Sequence, residues 1–326
     1  MTLSVKQTNL ISESTMYHPT ILDVKQPVPS FNNIATESNW RDLIVDDRTD
    51  SNIFFDVDIQ PLSLWTPEGM TDNGEQVVIN KSDDHVIKTH GKDYALLKNA
   101  DAFDSIQQSI NNLAAKGHLN LDGCFIKDAV VQKGGKVIRQ YFFPAHRVTV
   151  GEGDSVILRL VVINSYDGSC NFQVQAGGFR IVCTNGLVTG EKFLSLNARH
   201  SGNMDLQLMT QKVETTVNSF SEMGLYWKNL IETPLEDKHA DRIITAISTD
   251  KDKVSLNKFD MFDRLYTEHK KDMGANYWAM YNTLTAYSTH YKVQDKNIAN
   301  LENVRLGREQ EVSVFLKNKL WEVATA

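Results

Sequence analysis

Basic side chains are concentrated in one stretch of the chain, and clustered guanidinium and ammonium groups have the chemistry to bind phosphate. Residues 129–203, the basic region, contain eight lysines and arginines against four acids, a net charge of +4 in a chain of overall charge −7. The other residues therefore carry −11. A basic region within an acidic chain favours contact with a nucleic acid backbone. The alternative is that these bases form ion pairs with acids of the flanking segments.

The basic region supplies the residues that we expect to contact single-stranded DNA. Arg159 is the only charged residue in SVILRLVVINS, and the next predicted strand alternates polar with apolar residues. Arg159 either pairs with an internal acid or faces solvent and DNA, and we expect the second arrangement. The expected DNA-binding residues are Lys133, Lys136, Arg139, Arg147, Arg159, Gln173, Gln175, Arg180 and Arg199.

Catalytic motifs are absent from the sequence. It contains no GxxxxGK, GxGxxG, HExxH or GxSxG. Two E-x-K fragments, at residues 236–238 and 268–270, resemble part of a nuclease site, but no strand-borne aspartate precedes either. Cys183 has apolar neighbours, which raise rather than lower the pKa of a thiol. We therefore expect no catalytic residue, no metal ion and no cofactor.

An aromatic segment, NYWAMYNTLTAYSTHY, allows two interpretations. Tyr277, Tyr281 and Tyr291 could stack on unpaired bases. They also lie at helical spacing beside Trp278 and Leu284, a pattern typical of a buried helix face, and we expect them to be core residues.

Bulk properties indicate a globular chain of 326 residues without a membrane span. The three cysteines are far apart with no CxxC pair, which predicts reduced, buried thiols. The N-terminus lacks the basic-then-apolar order of a signal peptide, so we expect an intracellular, cytoplasmic protein.

The elements that position these residues change character along the chain. Residues 1–50, interrupted by three prolines, are predicted to form an extended arm. Residues 51–200 are predicted to form a β-rich core domain with one helix over residues 102–117 and two hairpins. The hairpin strands are KVIRQYFFPAHRVTV, SVILRLVVINS and CNFQVQAGGFRIVC.

Residues 201–326 are predicted to be a helical region packed on or beside that core. Apolar residues step by threes and fours from Leu206 to Leu230, which predicts a helix of about seven turns. TPLE at residues 233–236 predicts the start of the next helix, with proline at its first position. The predicted fold class is α+β: a central antiparallel β-sheet with a hairpin, followed by a mostly helical C-terminal half.

The stretch GGFRIVCTNGLVTG, residues 177–190, is predicted to be a structural corner. Gly177-Gly178 predicts a β-bulge or bend, and Thr184-Asn185-Gly186 predicts a turn. Arg180, beside the bend, could then hold a phosphate or an internal carboxylate.

The segment NSYDGSCNFQVQAGGFRIVCTNGLV, residues 164–188, is similar to the hallmark segment of phage- and plasmid-borne proteins classed as domain of unknown function 932. Upstream, YALLKNADAFDSI resembles that family's tyrosine, asparagine and "eaF" segment, and YNTLTAYSTHY resembles its late region, which matches Asn282 and His290. The resemblance covers roughly residues 55–291. The residues that match the hallmark are Asp167, Gly168, Ser169, Arg180, Ile181, Val182, Cys183 and Asn185.

The family name carries no activity, but its context resembles accessory genes of phage replication and recombination. A curved antiparallel sheet followed by a long helix also resembles single-strand annealing proteins such as lambda Red beta and RecT. These resemblances imply single-stranded DNA as ligand, a homo-oligomeric ring or filament, and a phage exonuclease or single-strand-binding protein as further partner. A protein-only interaction module (a host-takeover or anti-defence factor) and a metal-dependent nucleic-acid enzyme are the alternatives.

Overall fold

The computed structural model describes most of the chain from residue 52 onward. The described residues are 52–151, 154–181, 213–215, 217–291 and 300–321, together with the backbone of two short strands at residues 185–187 and 195–198. The predicted arm over residues 1–50 and the expected DNA contact Arg199 lie outside the described residues.

A small antiparallel sheet opens the described chain. Its strands, in spatial order, are β1 (Val57–Thr66), β2 (Gly69–Asn80) and β3 (His85–Gly91). The pairing of β1 with β2 shifts between Leu62 and Ser63, so that Leu62 lies opposite Glu75 and Ser63 opposite Asp72. This bulge separates a supported half of the hairpin from an outer half that β3 does not pair with.

The main sheet follows helix α1 (Asn99–Ala115). The predicted helix over residues 102–117 is confirmed: it starts slightly earlier, and Gly117, at φ +74°, follows its end. The sheet is antiparallel in the order β4-β5-β6-β7-β8, and β9 pairs with another part of β7. Its strands are β4 (Phe125–Val131), β5 (Lys136–Gly151), β6 (Asp154–Ser165), β7 (Phe172–Arg180), β8 (Asn185–Leu187) and β9 (Ser195–Ala198).

Both predicted hairpins, β5–β6 and β6–β7, are present. The alternation predicted for β6 is confirmed as well, because Val156, Leu158, Leu160 and Val162 all lie in the main hydrophobic core. The opposite face of the sheet is buried too, since Val161 and Ile163 belong to a second apolar cluster. We call this opposite side the second face.

Gly178 does not mark a bulge, contrary to the prediction. The pairing of β6 with β7 runs without a shift from Val156 opposite Arg180 to Ile163 opposite Gln173. A Cβ atom at Gly178 would lie 2.5 Å from ring carbon Cη2 of Trp227 and 2.5 Å from Cγ1 of Val156. Glycine is therefore needed here because an indole ring packs against the strand backbone.

The C-terminal half is helical, as predicted. Its elements are α2 (Phe220–Glu232), α3 (Asp237–Ile247), the two-residue strands β10 (Thr249–Asp250) and β11 (Lys253–Val254), α4 (Leu256–Met273), α5 (Tyr277–His290) and α6 (Leu301–Phe315). Of the long helix predicted from Leu206, the residues before 213 lie outside the described residues. Val213, Val217, Met223 and Trp227 are buried, as their spacing predicted.

The start predicted for the helix after α2 was wrong. Thr233 ends α2, and α3 begins only at Asp237. Pro234 instead forms an isolated antiparallel bridge with Asn276, and the Leu235 N–H donates to the carbonyl of Ala275. Tertiary pairing between two extended segments has overridden the local capping pattern.

The helices cover both faces of the main sheet. Helix α1 packs against β6, and α2 packs against β5 and β7. Helix α6 packs against β4, and its Leu306 contacts the apolar cluster on the second face. The α+β prediction, with an antiparallel sheet first and helices in the C-terminal half, is confirmed. Among the described residues, no helix is both long and apolar enough to cross a membrane.

Candidate functional site

Two loops meet at one end of the main sheet and form the DGS corner, which comprises residues 132–135 between β4 and β5 and residues 166–171 between β6 and β7. The carbonyl of Gly135 accepts from the N–H groups of Tyr166 (2.7 Å) and Asp167 (3.1 Å). The Asp167 carboxylate accepts from the Ser169 N–H (2.9 Å) and the Ser165 hydroxyl (2.8 Å). Gly168, at φ +68°, completes the turn between β6 and β7.

Strand β3 supports the DGS corner through His90. Its Nε2 lies 2.7 Å from the carbonyl oxygen of Tyr166, which can only accept, so Nε2 carries the proton. The His90 ring stacks on Tyr94 at 3.8 Å between centroids. The Tyr94 hydroxyl donates to the carbonyl of Ser165 (3.1 Å). Burial, with Asp167 and Cys170 nearby, raises the pKa of Tyr94, so its hydroxyl stays protonated at neutral pH.

The start of α1 is fastened to the strand that leads into the corner. The Asn99 N–H donates to the Tyr166 hydroxyl (2.7 Å), which caps a helix whose N-cap residue, Lys98, makes no side-chain cap bond. The Asn164 side chain donates to the Leu97 carbonyl (2.9 Å) and to the Asn99 side-chain oxygen (2.8 Å). Two segments that resemble the family, around Asn99 and around Asn164, are distant in sequence but are joined by one buried hydrogen-bond network.

The outer side of the DGS corner presents a cation. Gln132 and Lys133 both adopt left-handed backbone conformations (φ 54° and 53°), which are uncommon for residues with a side chain, and both side chains are exposed. His85 Nε2 lies 2.9 Å from the Lys133 carbonyl and holds this turn against β3. Ser169 is exposed beside them. This surface can offer an ammonium, an amide and a hydroxyl to an anionic ligand.

Cys170 does not supply a nucleophile at the corner. Burial raises the pKa of the Cys170 thiol, which Lys136 only partly offsets. The Lys136 ammonium donates to the Asn303 side chain on α6 (2.8 Å) and is only half-exposed. The raised pKa makes the Cys170 thiol a weaker nucleophile at neutral pH.

Arg139 faces the core side of the sheet, where it pairs with a carboxylate. Its Nε and Nη2 donate to the two oxygens of Asp128, both at 2.7 Å. The guanidinium also lies over the rings of Phe54 (5.1 Å) and Phe103 (5.3 Å). An arginine held in this way has few donors left for a phosphate.

Arg159 does not face solvent, contrary to the expectation. It lies on the second face, is 6% exposed, and donates from Nη1 to Glu309 on α6 (2.9 Å) and from Nε to Gln140 (2.9 Å). The reason is that α6 covers this part of the sheet and brings a carboxylate to the arginine.

Glu302, on the same helix, forms further polar contacts with the second face of the sheet. Its carboxylate accepts from Lys127 (2.9 Å), Gln140 (2.9 Å) and Arg305 (2.7 Å). Burial alone would raise the pKa of Glu302, but Lys127 and Arg305 hold it well below the usual range. Glu302 and Glu309 were not among the residues expected from the sequence, although their spacing of seven residues around Leu306 places all three on one helix face.

Arg180 joins β7 to α5 in the core. It is 1% exposed, and its Nε donates to Asp154 Oδ1 (2.8 Å), while Nη1 donates to the Asn282 side chain (2.8 Å). The guanidinium lies 5.1 Å from the centre of the Trp278 ring. Of the two ligands considered for Arg180, the structure provides the internal carboxylate.

A buried histidine lies near Arg180. His269 on α4 has Nδ1 2.9 Å from the Thr283 hydroxyl. Burial, together with Arg180 and His290, lowers the pKa of His269 to about 3.

This shift predicts a pH-dependent stability. The unfolded chain binds a proton at His269 near pH 6.5, whereas the folded protein does not until about pH 3. The free energy of unfolding should therefore fall as the pH drops below about 6.5, by up to roughly 1.4 kcal/mol per pH unit from this residue. Urea unfolding between pH 7 and 5 measures the slope, and His269→Gln should reduce it. An unchanged slope in that variant would contradict the assignment.

The remaining residues expected to contact DNA differ in their exposure to solvent. Arg147 is exposed, although its Nε also donates to the Pro144 carbonyl (3.1 Å). Gln173 and Gln175 are half-buried and hydrogen-bonded to each other (2.9 Å). Lys133 and Arg147 are thus the two charged residues of the expected set that the described structure leaves exposed, and they lie toward opposite ends of β5.

Tyr277 and Tyr281 are core residues, as expected. Tyr277 and Tyr281 are 2% and 0% exposed, which prevents them from stacking on bases, while Tyr291 is half-buried. Cys124 and Cys170 are free thiols and half-buried, and Cys183 lies outside the described residues.

Comparisons with known proteins identify a family without an assigned activity. A family model described as domain of unknown function (DUF932) matches residues 86–318. UPF0380 protein YfjQ and UPF0380 protein YafZ, both from Escherichia coli (strain K12), are each 40% identical to this chain over 50 residues. That alignment covers 15% of this chain and 18% of each relative. No solved structure matches the chain.

The family match includes the DGS corner, the main sheet and every helix from α1 to α6. It extends over more than half of the chain, and so the chain belongs to the family of domain of unknown function 932.

Proposed function

We propose that the protein binds single-stranded DNA at the DGS corner, as a binding protein of phage-type replication or recombination. The observation that carries this proposal is the exposed turn at Gln132 and Lys133, held in an uncommon backbone conformation next to the family's hallmark loop. Uncommon backbone conformations that the surrounding structure enforces are often found at ligand sites.

The ion pairs reduce the number of basic residues that can contact DNA. Arg139, Arg159 and Arg180 are occupied by carboxylates, so the DNA-binding surface proposed here excludes them. A duplex binds best to an extended basic surface that neutralises many phosphates. A corner with one exposed lysine, an amide and a hydroxyl suits a flexible single strand, which can bend around it.

Binding to a labelled oligothymidine at low salt tests the proposal, with fluorescence anisotropy as the readout. The wild type should prefer this oligomer to a duplex of equal length, and Lys133→Ala should weaken binding several-fold by removing one phosphate contact. Lys116→Ala is the matched control, because Lys116 is an exposed lysine that pairs with Glu214. Equal affinity of the wild type and Lys133→Ala would refute a role for the corner.

A protein-only interaction module is the second candidate. The observation in its favour is the outer half of the β1–β2 hairpin, where the Trp65 side chain is exposed to solvent. If the protein does not bind DNA at low salt, this becomes the preferred function.

A further inference from the structure

We call the outer half of the β1–β2 hairpin, residues 63–72, the arm; it is distinct from the extended arm predicted over residues 1–50. It lies beyond the bulge at Leu62 and Ser63, and the arm has no pairing with β3. Its turn is closed by the Thr66 hydroxyl, which donates to the carbonyl of Gly69 (3.0 Å). A two-stranded ribbon without further support is only marginally stable in water, so a contact elsewhere would stabilise it.

The tip of the arm is apolar. Trp65 and Met70 lie directly opposite each other and share one face, where they are 79% and 67% exposed. Leu64, on the opposite face, is 53% exposed. Scattered exposed apolar residues are ordinary, but a tryptophan paired with a methionine at the end of a projecting ribbon is typical of a contact surface.

The charge of the hairpin limits the kind of partner. Residues 57–76 contain four acids, Asp58, Glu68, Asp72 and Glu75, and no lysine or arginine. This charge opposes contact with nucleic acid. It favours a protein surface that is apolar at its centre and basic at its edge.

The C-terminal end of α6 has these properties. Val314 is 56% exposed there, and Lys317 and Lys319 are exposed just beyond it. Residues 312–321 contain these two lysines and no acid.

The end of α6 lies away from the DGS corner, to which the sheet that carries the arm is attached. The sheet that carries the arm touches the DGS corner through His85 and His90, and Asn300, immediately before α6, accepts from the Gln132 N–H at that same corner (2.7 Å). Val314 lies about 20 Å farther along α6, from the helical rise per residue. Trp65, Met70 and Val314 are all largely exposed, so a contact between these surfaces would join two copies of the chain.

We propose that the arm of one copy docks on the end of α6 of a second copy, with Trp65 and Met70 against Val314 and the acids of the hairpin facing Lys317 and Lys319. Such a contact joins different surfaces of the two copies, so it can repeat from copy to copy into a ring or a filament.

Sedimentation velocity without DNA at micromolar concentration tests this contact separately from DNA binding. The wild type should sediment as an oligomer, and Trp65→Ser and Met70→Ser should shift it toward the 36.9 kDa monomer, with at least a tenfold weaker association. Leu225→Ser is the control, since Leu225 is 68% exposed on α2 and should not matter. A monomeric wild type, or an oligomer indifferent to Trp65→Ser, would overturn the proposal.

A charge exchange tests the site on α6. Glu68→Lys with Asp72→Lys should weaken association, as should Lys317→Glu with Lys319→Glu, and mixing the two variants should restore it because each supplies a complementary surface to the other. Unchanged circular dichroism would show that these exposed positions leave the fold intact. Failure of the mixture to associate better than either variant alone would exclude the end of α6 as the docking site.

Discussion

Arg159→Ala is expected to lower the free energy of unfolding by about 3–5 kcal/mol, the usual cost of removing one partner of a buried ion pair. The loss leaves Glu309 buried without its cation, and it removes the donor to the Gln140 side-chain oxygen. Burial already raises the pKa of Glu309 against the opposing effect of Arg159, so the unpaired carboxyl should take up a proton. Thermal and urea unfolding measure the effect, and the melting temperature should fall by several degrees.

Two control variants separate this ion pair from a general effect of removing charge. Arg147→Ala removes an exposed arginine from the same sheet and should change stability by less than about 0.5 kcal/mol. Arg159→Met combined with Glu309→Leu replaces both charges by apolar groups and should recover much of the lost stability. If Arg159→Ala melts like the wild type, then α6 does not cover the second face in solution.

Arg180→Ala should be at least as destabilising, again by about 3–5 kcal/mol or more. It leaves both Asp154 and Asn282 without their donor inside the core, and it removes the guanidinium from the Trp278 ring. Arg180→Lys is the informative comparison, because it keeps the charge but cannot reproduce the planar pair of bonds to the carboxylate.

Arg180→Lys should accordingly fall between the wild type and Arg180→Ala in urea unfolding. If both variants remain as stable as the wild type, Arg180 does not connect β7 to α5. Its presence in the hallmark segment would then require another explanation.

The local structure around these arginines was predictable from the sequence. The alternation in β6 identified Val156, Leu158, Leu160 and Val162 as one buried face, because a strand places successive side chains on opposite sides. The apolar spacing and Gly117 located α1 to within a few residues. Both signals depend only on neighbouring residues, which is why they succeeded.

The partners of the arginines could not be predicted in the same way. Arg159 and Glu309 are 150 residues apart, and no local pattern specifies that α6 returns to the second face. The uneven charge of the chain indicated part of this arrangement, since two acids outside the basic region, Asp128 and Glu309, pair with Arg139 and Arg159. That alternative was left open, and the structure decides it for Arg159.

Glycine and proline show a similar limit. Gly177-Gly178 predicted a bulge or bend, but the strand stays regular and tertiary packing shows that Gly178 makes room for the Trp227 ring. Pro234 matched a capping pattern, yet a bridge to Asn276 determines its conformation.

Individual residues of the candidate site could be identified from the sequence, but the contacts between them could not. The resemblance pointed to Tyr94, Asn99 and the DGS turn, and the expected DNA contacts included Lys133. That Tyr94 and Asn99 contact the segment leading into that turn depends on long-range folding. Lys133 is exposed because it lies in the turn before β5, whereas Arg139 lies within β5 and is half-buried.

The central claim is that the buried arginines of the basic region form ion pairs within the protein, while DNA binds at the exposed DGS corner. The salt dependence of oligothymidine binding tests this claim most directly. If Lys136, Arg139, Arg147 and Arg159 all neutralised phosphates, the logarithm of the association constant would fall with the logarithm of salt with a slope of about 2.8. With the contact at the DGS corner and Lys133 as its one charged residue, we expect a slope of about 0.7, which Lys133→Ala should bring close to zero. A slope near 2.8, or an affinity that does not respond to salt, would contradict the account.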